Sequence, residues 1–168
     1  MGEANSVSFW VAMTQRSRLT TGLSGVAGEY FVAAELSRRG FVASITLRNT
    51  RGIDILASNA DATRSVGIQV KTKQGRGAEW MLTQKVEGLD LAKNLFFVFV
   101  CLNDLDAPEY YVVPREKVIA YARDHHAEWL SKSRRDGRPH RDSAMRKFRD
   151  REGLFLDRWD ILDLDAAI

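Results

Sequence analysis

The sequence predicts a layered α/β domain, sandwich-like in the α+β sense, with a mixed central β-sheet flanked by helices. Three observations predict it. Residues 95–102 (LFFVFVCL) are the most apolar run, rich in Phe and Val. The run is far shorter than the roughly 18 residues of a membrane span, so it reads as a strand buried on both faces. Residues 53–57 and 66–70 are short apolar runs joined by the small polar stretch SNADATRS, the composition of a hairpin. Two segments, near 24–39 and 115–131, carry apolar residues at helical spacing.

The chain has 168 residues, 45% hydrophobic and 28% charged, enough for one domain with a true core. The formal net charge is only +3, so the placement of charge says more than its sum. The single cysteine, Cys101, sits in the apolar run; it excludes an internal disulfide and reads as a small buried hydrophobe in a reducing cytoplasm. Residues 7–13 are apolar but follow Glu3 and have no basic flank, so neither a signal peptide nor a membrane segment is expected. Residues 1–23 read as an extension in which Val7, Phe9, Trp10 and Val11 cover a core edge or a partner, or whose residues before Met13 precede the true start. Residues 24–168 read as one domain without internal repeats.

Taken in order, Ser24 is a fair N-cap for a first helix whose stripe is Val26, Tyr30, Ala33, Ala34 and Leu36, with Gly40 as its stop. Glu35 on that helix reads as a solvated charge. Residues 41–47 (FVASITL) read as a strand, followed by a polar turn into the hairpin. After the Gly75–Gly77 break come a short strand at 79–82, a helical or looped crossing over 85–94, and the central strand. Residues 109–113 are a further strand closed by Pro114, which opens a helix over 115–131 with Val118, Ile119, Tyr121, Ala122 and Trp129 apolar. The tail is expected to dock through Phe155, Trp159, Ile161 and Leu162.

The hairpin carries the chemistry. Asp54 lies between Ile53 and Ile55, where an unpaired acid is costly unless it binds something. Side chains alternate along a strand, so Gln69 and Lys71 share the side opposite Ile68 and Val70. Antiparallel pairing would bring Asp54, Gln69 and Lys71 to one end of the hairpin. A carboxylate, an amide oxygen and an ammonium there suit Mg²⁺ and phosphate, because magnesium takes few protein oxygens plus waters and phosphates.

Residues 132–151 change character. They hold Lys132, Arg134, Arg135, Arg138, Arg141, Arg146, Lys147, Arg149 and Arg151 against Asp136, Asp142 and Asp150, read as a loop and then a short helix near 143–150. Clustered arginines suit phosphate backbones. His140, inside that loop, is a further candidate phosphate contact, whereas His125 and His126, beside Trp129, read as packing or surface residues.

The ordered set Gly28-Glu29, Gly52-Ile53-Asp54-Ile55 and Ile68-Gln69-Val70-Lys71 resembles the PD-(D/E)XK nuclease superfamily. Within it, the chain is similar to the small bacterial proteins related to restriction endonucleases and Holliday-junction resolvases. The resemblance covers roughly residues 24–115 and, more loosely, 126–146. It implies a restriction-endonuclease-like core, Asp54, Gln69 and Glu29 as metal ligands for Mg²⁺ (Mn²⁺ as substitute), and Lys71 as the catalytic lysine. The chain departs from the family at Ile53, where proline is common, and at Gln69, where an acid is expected. Gln lowers the ligand charge by one; Mrr-type members with Gln there are counted as potentially active, and Glu29 would restore the carboxylate.

The implied activity is metal-dependent hydrolysis of DNA phosphodiester bonds, with Lys73 and Gln74 also reaching phosphate and a homodimer if both strands are cut. Two other readings stay open. One is a catalytically inactive module of this fold that binds nucleic acid or protein, and the other is a structural subunit acting through its N-terminal extension.

Overall fold

The computed structural model describes residues 18–47, 52–89 and 92–165. The expectations for the start of the chain fall almost wholly on residues 1–17, outside that range. The described elements are α1 (Thr21–Arg38), β1 (Val42–Ile45), β2 (Ile55–Ser58), β3 (Ser65–Gln74), β4 (Glu79–Thr83), a 3₁₀ turn (Gln84–Gly88), β5 (Leu95–Leu102), β6 (Glu109–Pro114), α2 (Arg115–Ser131), β7 (Met145–Arg149) and a second 3₁₀ turn (Trp159–Leu162).

A five-stranded mixed sheet runs β1-β2-β3-β5-β6. β2 and β3 form the expected antiparallel hairpin, with Ile55 opposite Ile68 and Ser58 opposite Ser65. β3 and β5 are parallel, Gln69 beside Phe97 and Lys71 beside Phe99. Parallel neighbours need a crossover. Residues 75–94 supply it, and on the way they form β4, which pairs antiparallel with β7 in a separate two-stranded sheet.

β5 is buried on both sides, as its unbroken apolar run requires. Phe96, Val98, Val100 and Leu102 join Val32 and Leu36 of α1, Ile68 and Val70 of β3, and Trp159, Leu162 and Leu164 of the docked tail. Phe97, Phe99 and Cys101 face the opposite layer, with Val118, Ile119 and Ala122 of α2 and Trp80, Leu82 and Phe148 of the small sheet. Phe99 stacks on Phe148 at 4.7 Å between ring centres, and Trp80 lies 4.9 Å from Phe99. The Cys101 thiol is buried, which pushes it up to about 11 and leaves it inert.

Four expectations are corrected. α1 starts earlier, capped by the Thr20 hydroxyl, which accepts from Leu23 N–H at 3.3 Å; Ser24 is buried within the helix. Its buried stripe is Ser24, Gly28, Val32 and Leu36, a run of small and apolar residues at intervals of four, and Tyr30 is exposed. Glu35 is buried and paired with Arg38 and Arg39, not solvated; the Arg38 hydrogen bond holds its carboxyl below the usual range. Residues 145–149 are a strand, because Arg146 and Phe148 alternate inward against β4, with Phe148 opposite Trp80.

Candidate metal and phosphate site

The β2–β3 ladder ends at Asp54. The Asp54 N–H donates to Ile68 O at 2.8 Å, one residue out of the Ile55–Ile68 register. The next strand donor on β3, Val70 N–H, is met by the Asp54 carboxylate, with Oδ2 accepting at 2.7 Å. Asp54 therefore takes over where the backbone ladder stops, and its carboxylate lies against the peptide joining Gln69 to Val70. Beyond that point residues 71–74 of β3 pair only with β5 among the described strands.

The turn before Asp54 is held in depth. Three consecutive carbonyls each accept a hydrogen bond: Gly52 O from Arg115 Nη2 at 2.6 Å, Ile53 O from Thr46 Oγ1 at 2.7 Å, and Asp54 O from Thr46 N at 2.9 Å. Gly52 has φ +66°, a left-handed conformation that glycine adopts without the penalty of a Cβ.

Residues paired in a parallel ladder share a face, so Gln69, Lys71 and Lys73 point with Phe97, Phe99 and Cys101 into the α2 layer. Gln69 Oε1 is buried there with no hydrogen-bond partner among the described residues. A buried amide oxygen without a donor costs free energy unless a donor or cation meets it. Lys71 is half-buried, and no described residue forms a hydrogen bond or ion pair with it. Among the described residues no three His, Cys, Asp or Glu side chains cluster, so the donor set here is one carboxylate and one orphaned amide oxygen. Both are hard oxygen donors and fit Mg²⁺ or Mn²⁺ completed by water and phosphate.

Glu29 comes from the other side. Gly28 packs α1 so closely on β3 that an added Cβ would lie 1.9 Å from Thr72 Oγ1. Glu29, half-buried, is the next residue along this closely packed helix. The structure thus brings Asp54, Gln69 and Lys71 together, and brings Glu29 to β3 from the opposite layer.

The candidate phosphate contacts separate into two groups. Some are engaged internally. The Gln74 amide clasps Leu19, donating to its O at 2.8 Å and accepting from its N–H at 2.7 Å. Lys73 Nζ donates to Arg76 O at 3.1 Å and lies 5.3 Å from the Trp80 ring centre. Arg146 is buried against Glu87 and also donates to Ser143 O at 2.6 Å. Gln74 and Arg146 thus each engage other parts of the fold, Gln74 at an exposed clasp and Arg146 in a buried one. Lys147 and Arg149 flank Glu79 and hold its carboxyl below the usual range.

Arg134, Arg135, Arg138 and Arg141 are different. They are exposed, and no described residue pairs with their side chains. Arg134 N–H donates to Arg138 O at 2.7 Å and Ser133 bridges Pro139, so the segment is a small hairpin. It is pinned to α2 by His140, stacked on Trp129 at 4.1 Å, and by Asp142, 2.7 Å from His126 Nε2. His126 also stacks on Trp129, a packing role in line with its sequence reading.

Sequence reasoning missed Thr46 and Arg115. Thr46 carries no signal, since its role depends on a partner strand. Arg115 carries one: it is the first residue of α2, where the helix dipole disfavours a cation, and it is buried.

Among the described residues no helix is long and apolar enough to cross a membrane. No protein-family model matches the chain, and no curated protein matches it. Among solved structures it is similar to Hjc, a Holliday junction resolvase from the archaeal hyperthermophile Archaeoglobus fulgidus, with a TM-score of 0.44 and 18% sequence identity over 78% of this chain and 86% of that one. A likeness so loose carries nothing about activity. What is plain is the architecture, a mixed sheet between two helical layers.

Proposed function

We propose that this protein is a metal-dependent nuclease that hydrolyses DNA phosphodiester bonds on the Gln69–Lys71 face of β3. The observation that carries the reading is the buried, partnerless Gln69 Oε1 beside a carboxylate anchored on the adjoining peptide. In an apolar layer such an arrangement is costly without a cation to complete it.

When bound, Mg²⁺ or Mn²⁺ polarises the scissile phosphate and lowers the pKa of a water. Asp54 and the Gln69 amide oxygen would hold the ion. With Oδ2 tied to Val70 N–H, Asp54 keeps Oδ1 for this purpose. Glu29, on the helix packed against β3, would supply the second carboxylate that a Gln-for-acid exchange removes. Lys71 donates to a phosphate oxygen or to the attacking water, and so stabilises charge that develops on the phosphate. The exposed Arg134–Arg141 hairpin holds the nucleic-acid backbone without reading sequence. Cutting both strands of a duplex would call for two copies of the chain.

Incubating supercoiled plasmid, linear duplex, single strand and a branched junction with Mg²⁺ or Mn²⁺ tests the proposal. Cleavage by the wild type, absent in both Asp54→Ala and Lys71→Ala, is expected. Cleavage surviving both substitutions would remove this site from the chemistry. No cleavage together with salt-sensitive DNA binding would support the inactive nucleic-acid-binding module, and Gln69→Glu would be the next protein to make.

A further inference from the structure

We infer that Arg115 is a positioning residue for the candidate metal site, fixing the turn that aims Asp54 and thereby setting metal affinity. The inference rests on the proposed metal site and adds to it a residue from the α2 layer.

Arg115 is 3% exposed, at the first position of α2. A buried guanidinium at the positive end of a helix dipole is doubly disfavoured, so its retention needs a compensating interaction. The charge-assisted hydrogen bond from Nη2 to Gly52 O, at 2.6 Å, is such an interaction. Gly52 lies two residues before Asp54, and of the three carbonyls held in that turn the other two are held by Thr46, just past β1, whereas that of Gly52 is held from α2. Arg115 Cζ also lies 5.9 Å from the centre of the Phe97 ring, and Phe97 is the β5 neighbour of Gln69. One side chain therefore braces the turn that delivers the carboxylate and packs on the residue beside the amide oxygen. α2 is tied to both proposed ligands through it, without touching the cation itself. Lysine could keep the charge here but not the planar fork that spans the ring and the carbonyl together.

Mn²⁺ uptake by the full chain, read as loss of the free-ion EPR signal, tests this without relying on catalysis. Thermal melts run alongside. The wild type is expected to take up Mn²⁺ and Asp54→Asn to lose it. Arg115→Met should raise the half-saturating Mn²⁺ concentration about tenfold, the lower end of what outer-shell partners of metal ligands contribute. Arg115→Lys should recover part of that loss. If Arg115→Met does not fold, Arg115→Lys decides: weakened uptake at a near wild-type melting temperature supports the role, and wild-type uptake overturns it. Lowered melting temperatures with unchanged half-saturation in both variants would make Arg115 a purely structural brace and overturn the inference while leaving the metal site standing. No uptake by the wild type, or uptake that survives Asp54→Asn, would remove the site itself and this role with it.

Discussion

The two faces of β3 differ in kind although they belong to one strand. On one face Val66, Ile68 and Val70 are sealed under α1, and Gly28 brings the helix backbone against Thr72. On the other, Gln69 and Lys71 carry polar groups into the α2 layer, where Gln69 Oε1 has no donor and Lys71 no described partner. The first face is filled by apolar packing, with Thr72 Oγ1 left buried without a described hydrogen-bond partner. The second is not satisfied by anything the described residues provide. Strict alternation lets one strand serve as wall and as site, and the wall's rigidity is what holds the site's groups in register.

The comparison breaks most sharply if the two faces are mutated separately. Lys71→Ala should lower the cleavage rate by about 10²-fold or more, as loss of a group that stabilises transition-state charge does, with little change in melting temperature. Ile68→Ala should do the reverse. It should cost about 2–5 kcal/mol of unfolding free energy, measured by urea denaturation, through the cavity left at a fully buried position. A Lys71→Ala protein that loses stability and keeps its rate would erase the distinction.

The arginine hairpin sharpens the same contrast between occupied and unoccupied polar groups. Replacing Arg134, Arg135, Arg138 and Arg141 with Ser should flatten the dependence of log DNA affinity on log salt by about 3 to 4, near 0.9 for each phosphate that is no longer neutralised. Arg146→Ser should destabilise the fold, because Glu87 and two backbone carbonyls lose their donor.

Most of the fold was legible because its signals are local. The unbroken run LFFVFVCL could only be a doubly buried strand, and the polar turn between two apolar runs could only be a hairpin. Helix α2 lies at the expected 115–131. The failures share a cause. The burial of Glu35 and the strand at 145–149 depend on the folded surroundings, the strand on its pairing with the distant β4. The candidate site was legible as Asp54, Gln69 and Lys71 because strand parity groups them. The brace behind it was not read: Thr46 acts on backbone carbonyls that any sequence could present, and the hint of Arg115 is no more than a cation at a helix start.

On the sealed face the effects are smaller. Gly28→Ala should cost about 1–3 kcal/mol by overpacking against Thr72, and Thr72→Ala should restore only part of it in the double variant, since the added Cβ would still lie 2.9 Å from the Thr72 Cβ position. Glu35 gives the mildest test. Its carboxyl is held below the ordinary range by Arg38, so its pairing stabilises the fold above the unfolded pKa of about 4.3 and is lost as pH falls through the lower folded value. Glu35→Gln should therefore be less stable than the wild type at neutral pH, and the gap in melting temperature should close on acidification below about pH 4.

The most direct test of the site is a crystal of the full chain soaked in Mn²⁺ and read by anomalous scattering. The account predicts a peak at coordination distance from both Asp54 and Gln69 Oε1, within reach of Lys71 through a phosphate or water. Saturating Mn²⁺ with no peak there, or a water or side-chain donor filling the Gln69 Oε1 position, would contradict it.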